Sequence, residues 1–178
     1  MQALGIILLS VLSAVLYGIV HDQVTARICI EYFTIGHAPL IQSDSPTVLG
    51  LFWGVVATWW VGLPLGTGLA IAARVGKRPK LTCTQLIRPL AILLACMYVV
   101  AGTAGLTGYL TAREDMIHLL DPMASRIPAD KHVAFLTAAW AHLGSYLSGI
   151  LGGIILWILT WRRRRLLITL TNPEPEKS

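Results

Sequence analysis

Four stretches of this sequence, residues 1–20, 48–73, 89–110 and 133–161, contain no Asp, Glu, Lys or Arg and are predominantly apolar. Each is long enough, at about 1.5 Å per helical residue, to cross the roughly 30 Å hydrocarbon core of a bilayer. Lipid offers no water to the backbone, so its N–H and C=O groups must be satisfied inside helices or a closed barrel. Continuous apolar runs of this length favour helices over alternating strands. The predicted fold is all-α: a membrane-embedded four-helix bundle over residues 1–165, with helices at about 1–27, 47–74, 84–111 and 131–162. Residues 166–178 are expected to form a flexible cytoplasmic tail, since the last of them are Pro- and Glu-rich. A charged fraction of 13% and a mean hydropathy of +0.68 agree with a membrane class, because soluble domains carry about 25% charge. The first run lacks a basic leader and an obvious small-x-small cleavage site, and it is read as a retained helix.

Orientation follows from Lys and Arg in short loops. Arg74, Lys77, Arg78, Lys80 and Arg88 lie between the second and third runs, and Arg162–Arg165 follow the fourth. The loop after the first run holds only Arg27, and the loop after the third balances Arg113, Arg126 and Lys131 against Glu114, Asp115, Asp121 and Asp130. Both termini are therefore expected in the cytoplasm, with two polar loops outside. The net charge of +5 is then a topology signal, and nucleic acid is not an expected partner.

Local signals place the helix ends. Asp44-Ser45-Pro46 reads as a cap followed by a first-turn proline. Pro89 either starts the third helix or kinks it, Asp130 is a candidate cap for the fourth, and Pro64 is expected to kink the second toward protein rather than lipid. Ser10, Ala14 and Gly18, Gly62 and Gly66, and Ser145, Gly149 and Gly153 repeat every four residues, which lets helices approach closely in lipid, within the chain or in a homo-oligomer.

Residues 22–35 admit two readings. Val24, Ala26, Ile28, Ile30 and Tyr32 alternate with polar residues as in a strand. The favoured reading is that the first helix continues outward with Tyr17, His21, Thr25 and Ile28 on one stripe, followed by a short element around 31–34. The motif Tyr17-Gly18-Ile19-Val20-His21-Asp22-Gln23, followed by Glu31-Tyr32-Phe33-Thr34, resembles the opening of a group of uncharacterised small bacterial multi-pass membrane proteins. The resemblance covers roughly the first 37 residues. It implies a bacterial inner-membrane protein and carries no activity.

All five histidines fall on the outer side of this layout. His142 is inside the fourth run, where an ionisable group is costly and tends to face the bundle interior; Tyr146 lies one turn further in. A bundle would bring the outer helix ends within about 10 Å of one another. The candidate metal ligands are His21, Glu31, Glu114, His118 and His142, with Asp22, Asp115, Tyr146 and Arg27 as supporting polar groups, and His37 and His132 left open. Glu114 and His118 are four apart and would share a helical face; Arg27 and Glu31 would form a helical ion pair. Imidazole and carboxylate suit zinc, iron or copper. A bis-His haem is not expected, since only His142 is well inside a span. A neutral hydrogen-bonded network pinning the outer loops is the alternative.

Three functional readings follow: a metal- or proton-handling site at the extracytoplasmic end, a non-enzymatic scaffold with an extracytoplasmic partner, and a small transporter subunit. Hydrolase and nucleotide chemistry find no support. There is no Gly-x-Ser-x-Gly elbow and no glycine-rich loop after a strand, and the three cysteines, Cys29, Cys83 and Cys96, form no CxxC pair.

Overall fold

The computed structural model describes residues 1–171, with side chains described to residue 167. In chain order the helices are α1 (Gln2–Ile28), α2 (Glu31–Thr34), α3 (Pro46–Val56), α4 (Trp59–Arg74), α5 (Cys83–Arg113), α6 (Met123–Arg126) and α7 (His132–Thr171), the last led in by a 3-10 turn over Ala129–Lys131. No strand occurs among the described residues. Four helical segments are long and apolar enough to cross a membrane: Gln2–Ile28, Pro46–Arg74, Cys83–Arg113 and Ala129–Leu167.

In α1 the packing registers along the chain. Leu4, Leu8, Leu12, Leu16, Val20, Val24 and Ile28 are all exposed, one every four residues, and form a continuous apolar outer stripe. Ser10, Gly18, Asp22 and Ala26 are buried on the inner side. Residues 22–28 therefore extend α1, and the apparent strand alternation there reflects Val24 and Ile28 facing outward. Cys29, with φ −151°, ends the helix. Arg27 consequently does not meet Glu31: it bonds Gln23 and Thr47, while Glu31 accepts from the Cys29 thiol at 3.3 Å, and the expected helical ion pair is absent. Helix ends, not sequence spacing, decide this.

The small-residue stripes of α1 and α4 pack on each other within the chain, whereas Ser145, Gly149 and Gly153 of α7 line a cavity. A Cβ at Gly62 would sit 2.8 Å from the Val11 Cα, and one at Gly66 would sit 2.7 Å from the Ser10 Cβ, so the backbones of α1 and α4 nearly touch. On the other side, a Cβ at Gly108 would sit 2.7 Å from Trp140, and one at Gly144 would sit 2.6 Å from Ala104, which closes α5 on α7. Close backbone packing of this kind is the van der Waals contact that holds helices together where lipid supplies no hydrophobic drive. The bundle is thus two tight pairs, α1 with α3–α4 and α5 with α7, facing each other.

Several local expectations shift. Ser45 caps α3 through Val48 N at 3.4 Å with Pro46 in the first turn, as its sequence implies. The second span breaks at Ala57–Thr58 rather than at Pro64, which lies within α4 and is exposed, not turned to protein. Pro89 is internal to α5, whose start is fixed by a Thr82–Gln85 capping box. Asp130 lies in the 3-10 turn, and its one ion pair is with Lys131 at 3.9 Å. The fourth helix does not end at 162 but continues to Thr171, into the segment expected as tail; the remainder of that segment lies outside the described residues. The reason is Arg164. It is 0% exposed and donates to the carbonyls of Pro79 (2.7 Å), Ala72 (2.7 Å), Val75 (3.0 Å) and Arg78 (3.1 Å), so the loop after α4 wraps onto α7 and extends the packed region.

Candidate functional site

The half of the bundle remote from the start of α1 and the end of α7 places His21 and Asp22, from α1, opposite His142, from α7. All three are buried, with 7%, 4% and 7% of their surface exposed. His142 Nε2 lies 3.1 Å from Asp22 Oδ1, and His142 Nδ1 lies 2.8 Å from the Ala138 carbonyl oxygen. The carbonyl can only accept, so Nδ1 carries a proton and donates it. Nε2 then faces a carboxylate, and the two atoms must share a second proton or a cation. The His21 ring packs edge-on against His142 with centroids 4.5 Å apart, and Tyr17 stacks on His21 at 5.7 Å. His21 Nε2 is buried and makes no hydrogen bond. The Tyr17 hydroxyl is likewise buried without a hydrogen-bond partner.

One ligand atom from each of His21, Asp22 and His142 lies within 4.8 Å of the others, and no other such group occurs among the described residues. A tetrahedral zinc with bonds of about 2.0–2.1 Å sets its ligands about 3.3 Å apart. The His142–Asp22 separation of 3.1 Å is close to that distance, and the His21 ligand atom lies within 4.8 Å of both. Two imidazoles and one carboxylate leave a fourth position open. The Ala138 carbonyl holds His142 in the tautomer that presents a lone pair at Nε2, the outer support usual for metal-bound histidine.

An aromatic cap covers the cluster on the side of the α1–α3 loop. The α2 turn lays Tyr32 over His142, with ring centroids 4.4 Å apart, and brings Phe33 to 5.8 Å. Phe135 backs Tyr32 at 5.2 Å, and His37 stacks on Phe33 and packs against Trp53 at 4.4 Å. His37 Nδ1 donates to the Tyr32 carbonyl at 2.8 Å. Burial lowers the His37 pKa below the usual histidine value, so this ring is neutral and structural. Burial also raises the Tyr32 phenol and pushes the Cys29 thiol up to about 11, which keeps the thiol protonated and unsuited to bind a metal.

The other sequence candidates fall elsewhere. Glu31 pairs with Cys29, as above. Glu114 and His118 are exposed and do not share a helical face, because α5 stops at Arg113 and Asp115 adopts a positive φ of 54°. His132 is held by the Ala124 and Ile127 carbonyls at 3.2 and 3.0 Å. Tyr146 lines the cavity beneath His142 but is not its hydrogen-bond partner; Asp22 is. His21, expected at an exposed helix end, is as buried as His142. Asp22 was readable as more than a supporting group: it continues the Ser10–Ala14–Gly18 packing stripe by one further step of four.

The cavity below the cluster has a volume of about 90 Å³. It is polar at its outer end, with Tyr17, His21, Asp22 and His142, and apolar inward past Leu90 and Leu93 to Trp157. By fold and site this is a helical chain with four membrane-span-length segments and one buried His/Asp cluster between them. Comparison with protein-family models, curated proteins and solved structures finds no match to the chain.

Proposed function

We propose that this chain is an integral membrane protein of the bacterial inner membrane, with both termini in the cytoplasm, that binds one divalent transition metal ion between His21, Asp22 and His142. Zinc, iron(II) and copper suit this donor set. The observation that carries the reading is the convergence of three buried ligands, one with a buried ring nitrogen that has no partner and one with its tautomer set by a backbone carbonyl. A buried polar atom without a partner is costly, and a cation would satisfy all three groups together. Orientation rests on the basic loop and Arg162–Arg165 lying at the opposite end from the cluster.

Metal content of the protein purified into lipid nanodiscs tests the reading, together with cobalt(II) titration followed by its visible absorption. One equivalent of metal and a tetrahedral cobalt spectrum are expected, both lost in His142→Ala and Asp22→Asn and both kept in Glu114→Gln and His118→Ala. Absence of metal and of any cobalt spectrum, or equal loss in the Glu114 and His118 variants, would overturn it.

A further inference from the structure

Two cavities meet at His21. One is the chamber already described. The other is a cleft of about 250 Å³ between α1, α5 and α7, lined by Val20, Val24, Tyr98, Gly102, Leu106 and Ala141 among others. Val20, Val24 and Leu106 are exposed on span-length helices, so the mouth of the cleft opens toward lipid. Gly102 marks that mouth. A Cβ there would meet nothing within 4 Å, whereas one at Gly62, Gly108 or Gly144 would collide with a neighbouring helix. Glycine costs a helix about 1 kcal/mol relative to alanine; the packed glycines recover that by close approach, and Gly102 does not. On the aqueous side the Tyr32, Phe33 and Phe135 cap closes over His142.

The inner chamber describes an occupant. Ser10 to Asp22 line it along α1, about 18 Å at 1.5 Å per residue. It is long and narrow, apolar inward, with two buried polar atoms at its outer end, Tyr17 Oη and His21 Nε2, that lack hydrogen-bond partners. No Lys or Arg lines either cavity. A phosphate head would therefore find no cationic side chain along either cavity and would lie beside the Asp22 carboxylate, which disfavours it. A neutral head that exchanges hydrogen bonds fits, followed by a single slender apolar chain.

We propose that the His21–Asp22–His142 centre receives a membrane-dissolved lipophile with one neutral hydroxyl or carbonyl head and a single apolar chain, admitted sideways through the cleft at Gly102. This rests on the same centre as the metal reading and names what would approach its open position. Tyr17 Oη holds the head beside the open position of the centre, and the chain lies along Leu90 and Leu93.

Photo-crosslinking in nanodiscs tests it, with diazirine-bearing forms of farnesol, a short-chain benzoquinone, a pure hydrocarbon and a phospholipid. The expected result is saturable labelling of α1 and α5 around the two cavities by the alcohol, the quinone or both, competed by the unlabelled compound. Labelling by the alcohol alone assigns a hydroxyl head, and labelling by the quinone alone a carbonyl head. Gly102→Leu should reduce labelling about tenfold, equal to about 1.4 kcal/mol in affinity, with the melting temperature unchanged. Val24→Trp blocks the same cleft from α1 and serves if the Gly102 variant fails to fold. Metal content is measured on the same preparations: labelling without metal overturns only the metal reading, and metal without saturable labelling overturns only this one. Labelling spread evenly over the exposed apolar surface, equal labelling by the hydrocarbon or the phospholipid, or no effect of either blocking variant also overturns it.

Discussion

His142 Nε2 and Asp22 Oδ1, 120 residues apart in sequence, lie 3.1 Å apart inside the bundle, and their contact ties α7 to α1. Removing one partner strands the other in a site with little water. His142→Ala should therefore lower unfolding stability by about 3 kcal/mol, the usual cost of an uncompensated buried charge. Replacing both residues with Leu should restore most of that loss. Denaturation midpoints in bicelles measure both variants; a single variant as stable as the parent would contradict the pairing.

Metal binding at this pair must displace the proton shared by His142 and Asp22. Cobalt affinity should fall as pH drops, since imidazole binds metal only when neutral and protons compete for the ligand atoms. Cobalt titrations over a series of falling pH values should show a continuous decline in affinity. A flat profile would contradict the displacement of a proton from the His142–Asp22 pair.

The glycines should divide by their surroundings. Gly62→Leu forces a side chain against the Val11 backbone, 2.8 Å from the first added carbon, and should cost about 1–3 kcal/mol as overpacking does. Gly102→Ala meets open space and should be neutral or stabilising by up to about 1 kcal/mol, the helix-propensity difference. Thermal melts of the two variants in one lipid make the comparison.

Arg164 differs from the arginines beside it. Its guanidinium bonds four carbonyls of residues 72–79, while Arg162, Arg163 and Arg165 are exposed. Arg164→Ala should leave several of those carbonyls unsatisfied at about 1–3 kcal/mol each. Arg164→Lys should not rescue it, because an ammonium cannot fork across four acceptors. Trypsin cleavage at Lys77 and Lys80 should accelerate in both Arg164 variants and stay unchanged in Arg162→Ala.

His37 makes the aromatic cap sensitive to pH. Its folded pKa is lowered by burial, so between that value and about 6.5 the unfolded segment binds the proton that the folded one excludes. The stability contribution is present above about 6.5 and is lost as pH falls toward the lowered value. Hydrogen exchange of the α2 amides should accelerate over that window, and His37→Phe should flatten the dependence.

Residue order alone determined the four spans, the helix start at Ser45, and the small-residue stripes. Each follows from local hydropathy, capping chemistry or a four-residue repeat, and none needs knowledge of a distant partner. His142 was legible as a site residue for the same reason: an ionisable group inside an apolar run is costly wherever the run packs. Glu114 and His118 misled because spacing means a shared face only while the helix lasts, and α5 ends one residue before Glu114. Only the tertiary structure decided that Asp22, not Tyr146, meets His142, that His21 is buried beside them, and that Arg164 turns inward while its neighbours face out. Those outcomes depend on which helix faces lie opposite one another, and in a bundle with apolar residues on every face, rotation and pairing are set by backbone packing between distant segments.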